Sequence, residues 1–158
     1  VLVDSNSKEF KTKKLSEIAL KTVDIKGVAY YSLGKYRKKL SDEQLEKYLL
    51  LFEKYFLKSF TSRLTDYSDP KIDVFGTEIL NAKYTIVKSV LLATDKKPEV
   101  KIEWRVYTKN PDKPLIRDLI IEGLSLARTQ KEEFASVIES NNGDVTKLFE
   151  TLKNFVAK

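Results

Sequence analysis

The sequence predicts an α+β fold: one antiparallel sheet of four strands, packed with several helices. Helical periodicity occupies both ends of the chain and strand patterning the middle. Turn-forming residues recur between the apolar runs of the middle at hairpin spacing. No linker, repeat or low-complexity tract interrupts that order, so residues 1–158 read as a single domain.

The elements follow in order. Residues 14–33 read as helical in two pieces, with Asp24 placed to cap the second and Gly34 to end it. Ser41 begins the clearest helix. Asp42 and Glu43 fill its first turn, and Gln44 completes a capping box. Its apolar positions Leu45, Tyr48, Leu49, Leu51, Phe52, Tyr55, Phe56 and Phe60 cover about half the cylinder at roughly 100° per residue. Such a helix must be covered on more than one side, or must line a cavity. After the turn at Asp69-Pro70, Lys71–Glu78 reads as the first strand, with Ile72, Val74 and Gly76 on one face. Asn81 turns the chain into Lys83–Thr94, whose inward face is ambiguous because Val90-Leu91-Leu92 is apolar on both sides. The third strand, Glu99–Lys109, alternates: Val100, Ile102, Trp104 and Val106 face one way, Lys101, Glu103, Arg105 and Tyr107 the other. Asn110-Pro111-Asp112 leads to the fourth, Pro114–Glu122. Thr129 with Glu132 forms a second capping box, Asn142-Gly143 stops that helix, and Asp144 caps a last amphipathic helix through Val156.

Composition narrows the function. The chain has no Cys and no His, so thiolate nucleophiles, disulfides and the usual general base are absent. No P-loop and no G-x-G-x-x-G occurs. The sequence therefore implies no cofactor, no metal and no enzyme. With no Met, a chain that begins at Val1 reads as processed or as a fragment. The net charge of +6 favours anionic partners, but 24 Lys against 5 Arg argues against nucleic acid, where bidentate Arg contacts lead. The densest basic run is Lys35, Arg37, Lys38 and Lys39, in or beside a loop; it reads as a solvated turn or as a contact for a partner or an anionic membrane surface. Asp118, inside an apolar strand, reads as a structural carboxylate bonded to a neighbouring strand, loop or Arg. The many large aromatics of the long helix, with Trp104, form either a solid core or the wall of an apolar pocket.

Asp118-Leu-Ile-Ile-Glu-Gly-Leu-Ser-Leu, then Arg128-Thr-Gln-Lys-Glu-Glu-Phe134, resembles the C-terminal signature of the MlaC, or toluene-tolerance auxiliary, family. Leu33-Gly34-Lys35-Tyr36-Arg37 followed by Ser41–Gln44, and the Tyr67-Ser68-Asp69 turn, resemble further family motifs in the same order. The similarity runs from about Leu15 to Phe155, and the family's first helix looks truncated here. The resemblance implies a strongly curved sheet backed by helices, a nuclear-transport-factor-like cone with an apolar pocket between helices and sheet. It also implies a periplasmic shuttle whose ligand is a phospholipid. Its partners would be an outer-membrane lipoprotein–porin complex and an inner-membrane ABC transporter with an MCE-domain subunit, and it would act as a monomer. The expected lipid-binding residues are Tyr48, Phe52, Phe56, Val74, Ile102, Trp104, Val106, Ile121 and Leu126, which share faces of the helix and strands. The other reading of the same residues is a non-catalytic interaction module with a solid core and a basic binding face.

Overall fold

The computed structural model describes residues 7–65 and 70–158. Tyr67-Ser68-Asp69 and the Asp69-Pro70 turn therefore fall wholly or partly outside the described residues. The chain forms helices α1 (Lys8–Thr22), α2 (Ile25–Leu33) and α3 (Asp42–Leu64), strands β1 (Ile72–Ile79), β2 (Tyr84–Leu91), β3 (Val100–Tyr107), β4 (Leu115–Ile121) and β5 (Leu124–Ser125), then α4 (Leu126–Ser140) and α5 (Thr146–Ala157). They fall into two compact units, each built from separated stretches of chain. The sheet unit comprises Val1–Asp24 with Thr61–Leu126, and the helical unit Ile25–Phe60 with Ala127–Lys158. The chain changes unit three times, after Asp24, Phe60 and Leu126. No helix among the described residues is long and apolar enough to cross a membrane.

The sheet unit is an antiparallel meander in the order β1-β2-β3-β4-β5, open rather than closed into a barrel. It has five strands, not the four expected. Glu122 and Gly123, at φ +50° and +82°, join β4 to β5. Two consecutive residues with positive φ are the requirement of a type I′ turn, whose twist matches that of the strands it connects. Glu122 is held there by Lys101: its N–H donates to the Lys101 carbonyl at 3.0 Å, and its carboxylate accepts from the Lys101 N–H at 2.7 Å. At the other hairpins, Asn81 Oδ1 accepts from the N–H groups of Lys83 and Tyr84, and Asn110 Oδ1 from Asp112. Short polar side chains close these turns because they bond the backbone two or three residues on. The end of α1 reaches the sheet as well, with the Asp24 N–H donating to the Ile116 carbonyl at 2.9 Å.

Two bulges depart from simple alternation. The β1–β2 register shifts between Val74 and Gly76, so Val74 lies opposite Ser89 and Gly76 opposite Lys88. The extra residue moves Gly76 to the face opposite Ile72 and Val74, against the expectation that the three share one. The β3–β4 register shifts between Arg105 and Val106, with Asp118 opposite Arg105 and Ile116 opposite Val106.

The helical unit is built on α3. Its capping box forms as expected: Ser41 Oγ accepts from the Gln44 N–H at 3.2 Å, and Gln44 Oε1 from the Ser41 N–H at 3.0 Å. The helix then buries Tyr48 and Phe52, at 0% and 1% exposure, beside Phe149 of α5 and Phe134 of α4. The second capping box does not start its helix. α4 begins at Leu126, three residues before Thr129, because the β5 hairpin delivers the chain directly into it. Asn142 and Gly143, at φ +59° and +80°, end α4, and the Gly143 N–H returns to the Ile138 carbonyl at 2.9 Å. Asp144 then accepts from the Thr146 N–H at 2.9 Å and from its hydroxyl at 2.7 Å.

Gly34 ends α2 at φ +54°, and the chain continues as a 3₁₀ segment, Gly34–Lys39, which carries the basic run up to the short connection before α3. A Cβ at Gly34 would meet the mobile Cε of Lys131 at 2.8 Å. That side chain can move aside, so the backbone conformation carries most of the cost. Gly34→Ala is expected to destabilise the protein by about 1–2 kcal/mol, read as a lowered thermal midpoint. The 3₁₀ segment is tied to α4 by Glu139, whose Oε1 accepts from the Tyr36 hydroxyl at 2.9 Å and pairs with Lys35 at 3.5 Å. The Tyr36 hydrogen bond, then the Lys35 charge, holds the Glu139 carboxyl below the usual carboxylate range. A depressed carboxylate adds stability that is complete above its unfolded pKa and is lost as pH falls through the folded one. The thermal midpoint should therefore fall between about pH 5 and pH 2, and less steeply in Glu139→Gln.

Candidate functional site

Register fixes which side chains share each face of the sheet, because directly opposed residues point the same way. Thr85, Val87, Ser89 and Leu91 of β2 lie opposite Val106, Trp104, Ile102 and Val100 of β3. Across β3, Trp104 lies opposite Leu119 and Ile102 opposite Ile121. At the other edge Ile72 and Val74 lie opposite Leu91 and Ser89. One face thus gathers Val74, Ile102, Trp104, Val106 and Ile121, all five of the strand residues expected to bind lipid. β2, whose inward side the sequence left ambiguous, buries residues on both faces: Ser89 and Leu91 on this one, Ile86 on the other. Leu126, the sixth expected residue of this unit, stands at the start of α4.

This face is apolar because its polar atoms are satisfied within it. The Trp104 indole Nε1–H donates to Ser89 Oγ at 2.8 Å, and the Ser89 hydroxyl donates to the Ile102 carbonyl at 2.8 Å. Ser89 is 2% exposed. Thr85 pairs with the Thr108 hydroxyl at 2.9 Å. Trp104, Ile102, Val106 and Ile121 are half-buried, while Val74 is 60% exposed. Apolar exposure continues along β1 at Ile72, Phe75 and Ile79.

The opposite face mixes Ile86, Val90 and Ile120 with charged and aromatic side chains. Arg117, brought there by the bulge, donates from Nε to Asp24 at 2.8 Å and from Nη1 to the Tyr84 hydroxyl at 2.7 Å. Burial opposes its charge, but Tyr84 and Asp24 outweigh that and raise its pKa. The Arg117 guanidinium stacks 4.3 Å from the Tyr107 ring centroid, and that of Arg105 4.4 Å from Tyr84. Arg105 Nε is buried without a hydrogen-bond partner among the described residues. Asp118 accepts a hydrogen bond from the Ser125 hydroxyl, so it fastens β4 to β5, the structural role expected of it. Sequence reasoning missed the Arg117 network. Its signal was a second charged residue beside Asp118 in an otherwise apolar strand.

The three α3 residues of the expected site sit in the helical unit. Tyr48 stacks on Phe149 with centroids 6.0 Å apart, and Phe52 meets Phe134 edge-on at 6.1 Å. The Tyr48 hydroxyl donates to the Ala29 carbonyl at 3.0 Å, and burial pushes its pKa up, so it stays a neutral donor. Phe56, half-buried, stacks between Phe52 and Phe60. The same unit holds a cavity of about 180 Å³ lined by Tyr55, Gln130, Phe134, Val137, Leu148 and Phe155. That is below the roughly 300–1,000 Å³ of ligand pockets. Tyr48 and Phe52 therefore present no surface to a ligand in this structure, whereas the sheet face does.

Comparison with known proteins returned one family model, described as MlaC protein, matching residues 3–154. No curated protein matches the chain. Among solved structures, a phospholipid-binding protein from Ralstonia solanacearum, determined in complex with a phospholipid, aligns with TM-score 0.76 at 21% identity. The alignment covers 95% of this chain and 84% of that one.

Ser89→Ala strands the Trp104 indole N–H on an apolar face. The expected result is a loss of about 1–3 kcal/mol in denaturant unfolding, and recovery of most of it in Ser89→Thr, which restores the hydroxyl.

Proposed function

The chain belongs to the MlaC family, and on that premise we propose that it acts as one phospholipid-binding domain, a non-catalytic carrier of the periplasm. The proposed route runs between an outer-membrane lipoprotein–porin complex and an inner-membrane ABC transporter with an MCE-domain subunit. The observation that carries the binding reading is the sheet face of Val74, Ile102, Trp104, Val106 and Ile121, whose indole N–H is already satisfied. A surface that asks for no hydrogen bond suits acyl chains, which offer none. The family match and the lipid held by the Ralstonia protein support the same reading. In this proposal the tails lie along that face and by Leu126, with the sheet curved in the manner of a nuclear-transport-factor-like cone. Of the α3 residues also proposed for lipid, Phe56 is half-buried and stacks on the enclosed Phe52.

Magnitudes then dictate how such a carrier works. Two chains of about 15 methylenes each, at ~0.8 kcal/mol per buried methylene, are worth on the order of 20 kcal/mol against water. Non-covalent affinities saturate near that value. Release into water is negligible, so lipid must pass within a docked complex to an equally apolar destination. Tail burial dominates, and the headgroup adds little selectivity.

The second reading is a lipid-free interaction module, favoured by the filled aromatic core of the helical unit. Native mass spectrometry with organic extraction separates the two. One phospholipid per chain is expected, and a bare 18.2 kDa species would favour the module. Trp104→Asp is expected to lose the lipid; full occupancy in that variant overturns the site. Val74→Asp, at an exposed position that tolerates charge, should lower occupancy without affecting folding.

A further inference from the structure

A second surface of the protein is cationic. In the helical unit, Lys26 of α2, Lys35, Arg37, Lys38 and Lys39 of the 3₁₀ segment, and Lys131 of α4 form a continuous strip threaded with tyrosines. Arg37 lies 3.8 Å from the Tyr30 ring centroid, with Lys26 5.8 Å from the same ring. Lys131 lies 5.0 Å from the Tyr31 ring and beside Gly34. Lys35 and Lys39 lie 5.1 and 5.3 Å from the Tyr36 ring. Among the described residues Glu139 is bound into this set, and it offsets one charge of six. Five of the six cations are exposed, and Tyr31 is 46% exposed.

From this strip we infer a docking surface for an anionic lipid bilayer. Two features select a bilayer over an acidic protein. The cations are lysines apart from Arg37, and the Arg37 fork is turned onto a ring instead of being presented to a carboxylate. Hydrated point charges suit a diffuse negative plane, whereas protein carboxylates are best matched by free guanidinium forks. Tyr31 is the second feature, since an exposed amphipathic ring settles at the level of lipid headgroups, whereas Tyr36 is buried and serves to hold Lys35 and Lys39. A cluster of four to eight basic residues is the number that reads as an anionic-lipid contact. The inference is independent of the cargo: it concerns where the protein lands.

Vesicle flotation tests it. The protein should float with phosphatidylglycerol–phosphatidylcholine vesicles at about 50 mM salt, far less at about 500 mM, and not with phosphatidylcholine alone. The triple variant Lys26→Gln, Lys38→Gln, Lys131→Gln should lose at least tenfold in vesicle affinity, each such lysine being worth roughly a factor of five. A matched control, Lys96→Gln, Lys109→Gln, Lys113→Gln, removes the same charge from hairpin turns of the sheet unit and should float normally. Protein stripped of lipid by organic extraction and refolded should also float normally, because docking does not need the cargo. The inference is overturned by equal flotation with neutral vesicles, by equal loss in the control, or by failure of the folded, lipid-free protein to float. Capture by immobilised polyglutamate without flotation would overturn it in favour of an acidic protein.

Discussion

Ser89 sets the character of the sheet. An indole N–H on an apolar surface needs an acceptor, and a solvent-facing one would bring water onto the face. The buried Ser89 hydroxyl of β2 accepts a hydrogen bond from that N–H and donates its own to the Ile102 carbonyl. One small side chain thus uses its donor and one acceptor within the sheet, and the largest residue of the face becomes wholly apolar in effect. The antiparallel register is what brings the two side chains together: Ser89 stands opposite Ile102, with Trp104 and Val87 the next pair along. Shifting that register by one residue would turn Trp104 toward the arginines of the other side.

The charged side chains of the sheet gather on the face away from Trp104, beside Ile86, Val90 and Ile120. Arg105 and Arg117 are tolerated because Tyr84, Tyr107 and Asp24 surround them. The helical unit solves a different problem. Its aromatic rings fill their own space, and the hydroxyls of Tyr48 and Tyr55 are matched by Ala29 and Gln130.

Much of this was legible in the sequence. The Ser41–Gln44 box, the Asn81 and Asn110 turns, the Asn142-Gly143 stop and the alternation of β3 each rest on local chemistry, and each is found where the residues placed it. What escaped was non-local or of unusual geometry. A glutamate at positive φ is a poor turn signal until Lys101 is seen to hold it, so β5 and the early start of α4 went unread. Bulges cannot be recognised from alternation, because a bulge breaks the alternation being counted; Gly76 changed sides for that reason. Of the expected lipid-binding residues, those on strands share a face because a period of two is rigid. Those on α3 belong to a stripe too wide to say which part is enclosed, and Tyr48 and Phe52 proved to be the enclosed part.

The three passages of the chain between units bear on how the protein is made. Neither unit is encoded by one uninterrupted stretch. The Tyr48–Phe52 stripe leaves the ribosome early, yet Phe134, Leu148 and Phe149, which enclose it, are translated about eighty to a hundred residues later. At roughly 5–20 residues per second the stripe stays uncovered for several seconds. During that time the nascent chain is greasy and adhesive, and a holding chaperone has a natural grip on it. The helical unit cannot close until its second stretch, Ala127–Lys158, has also been made.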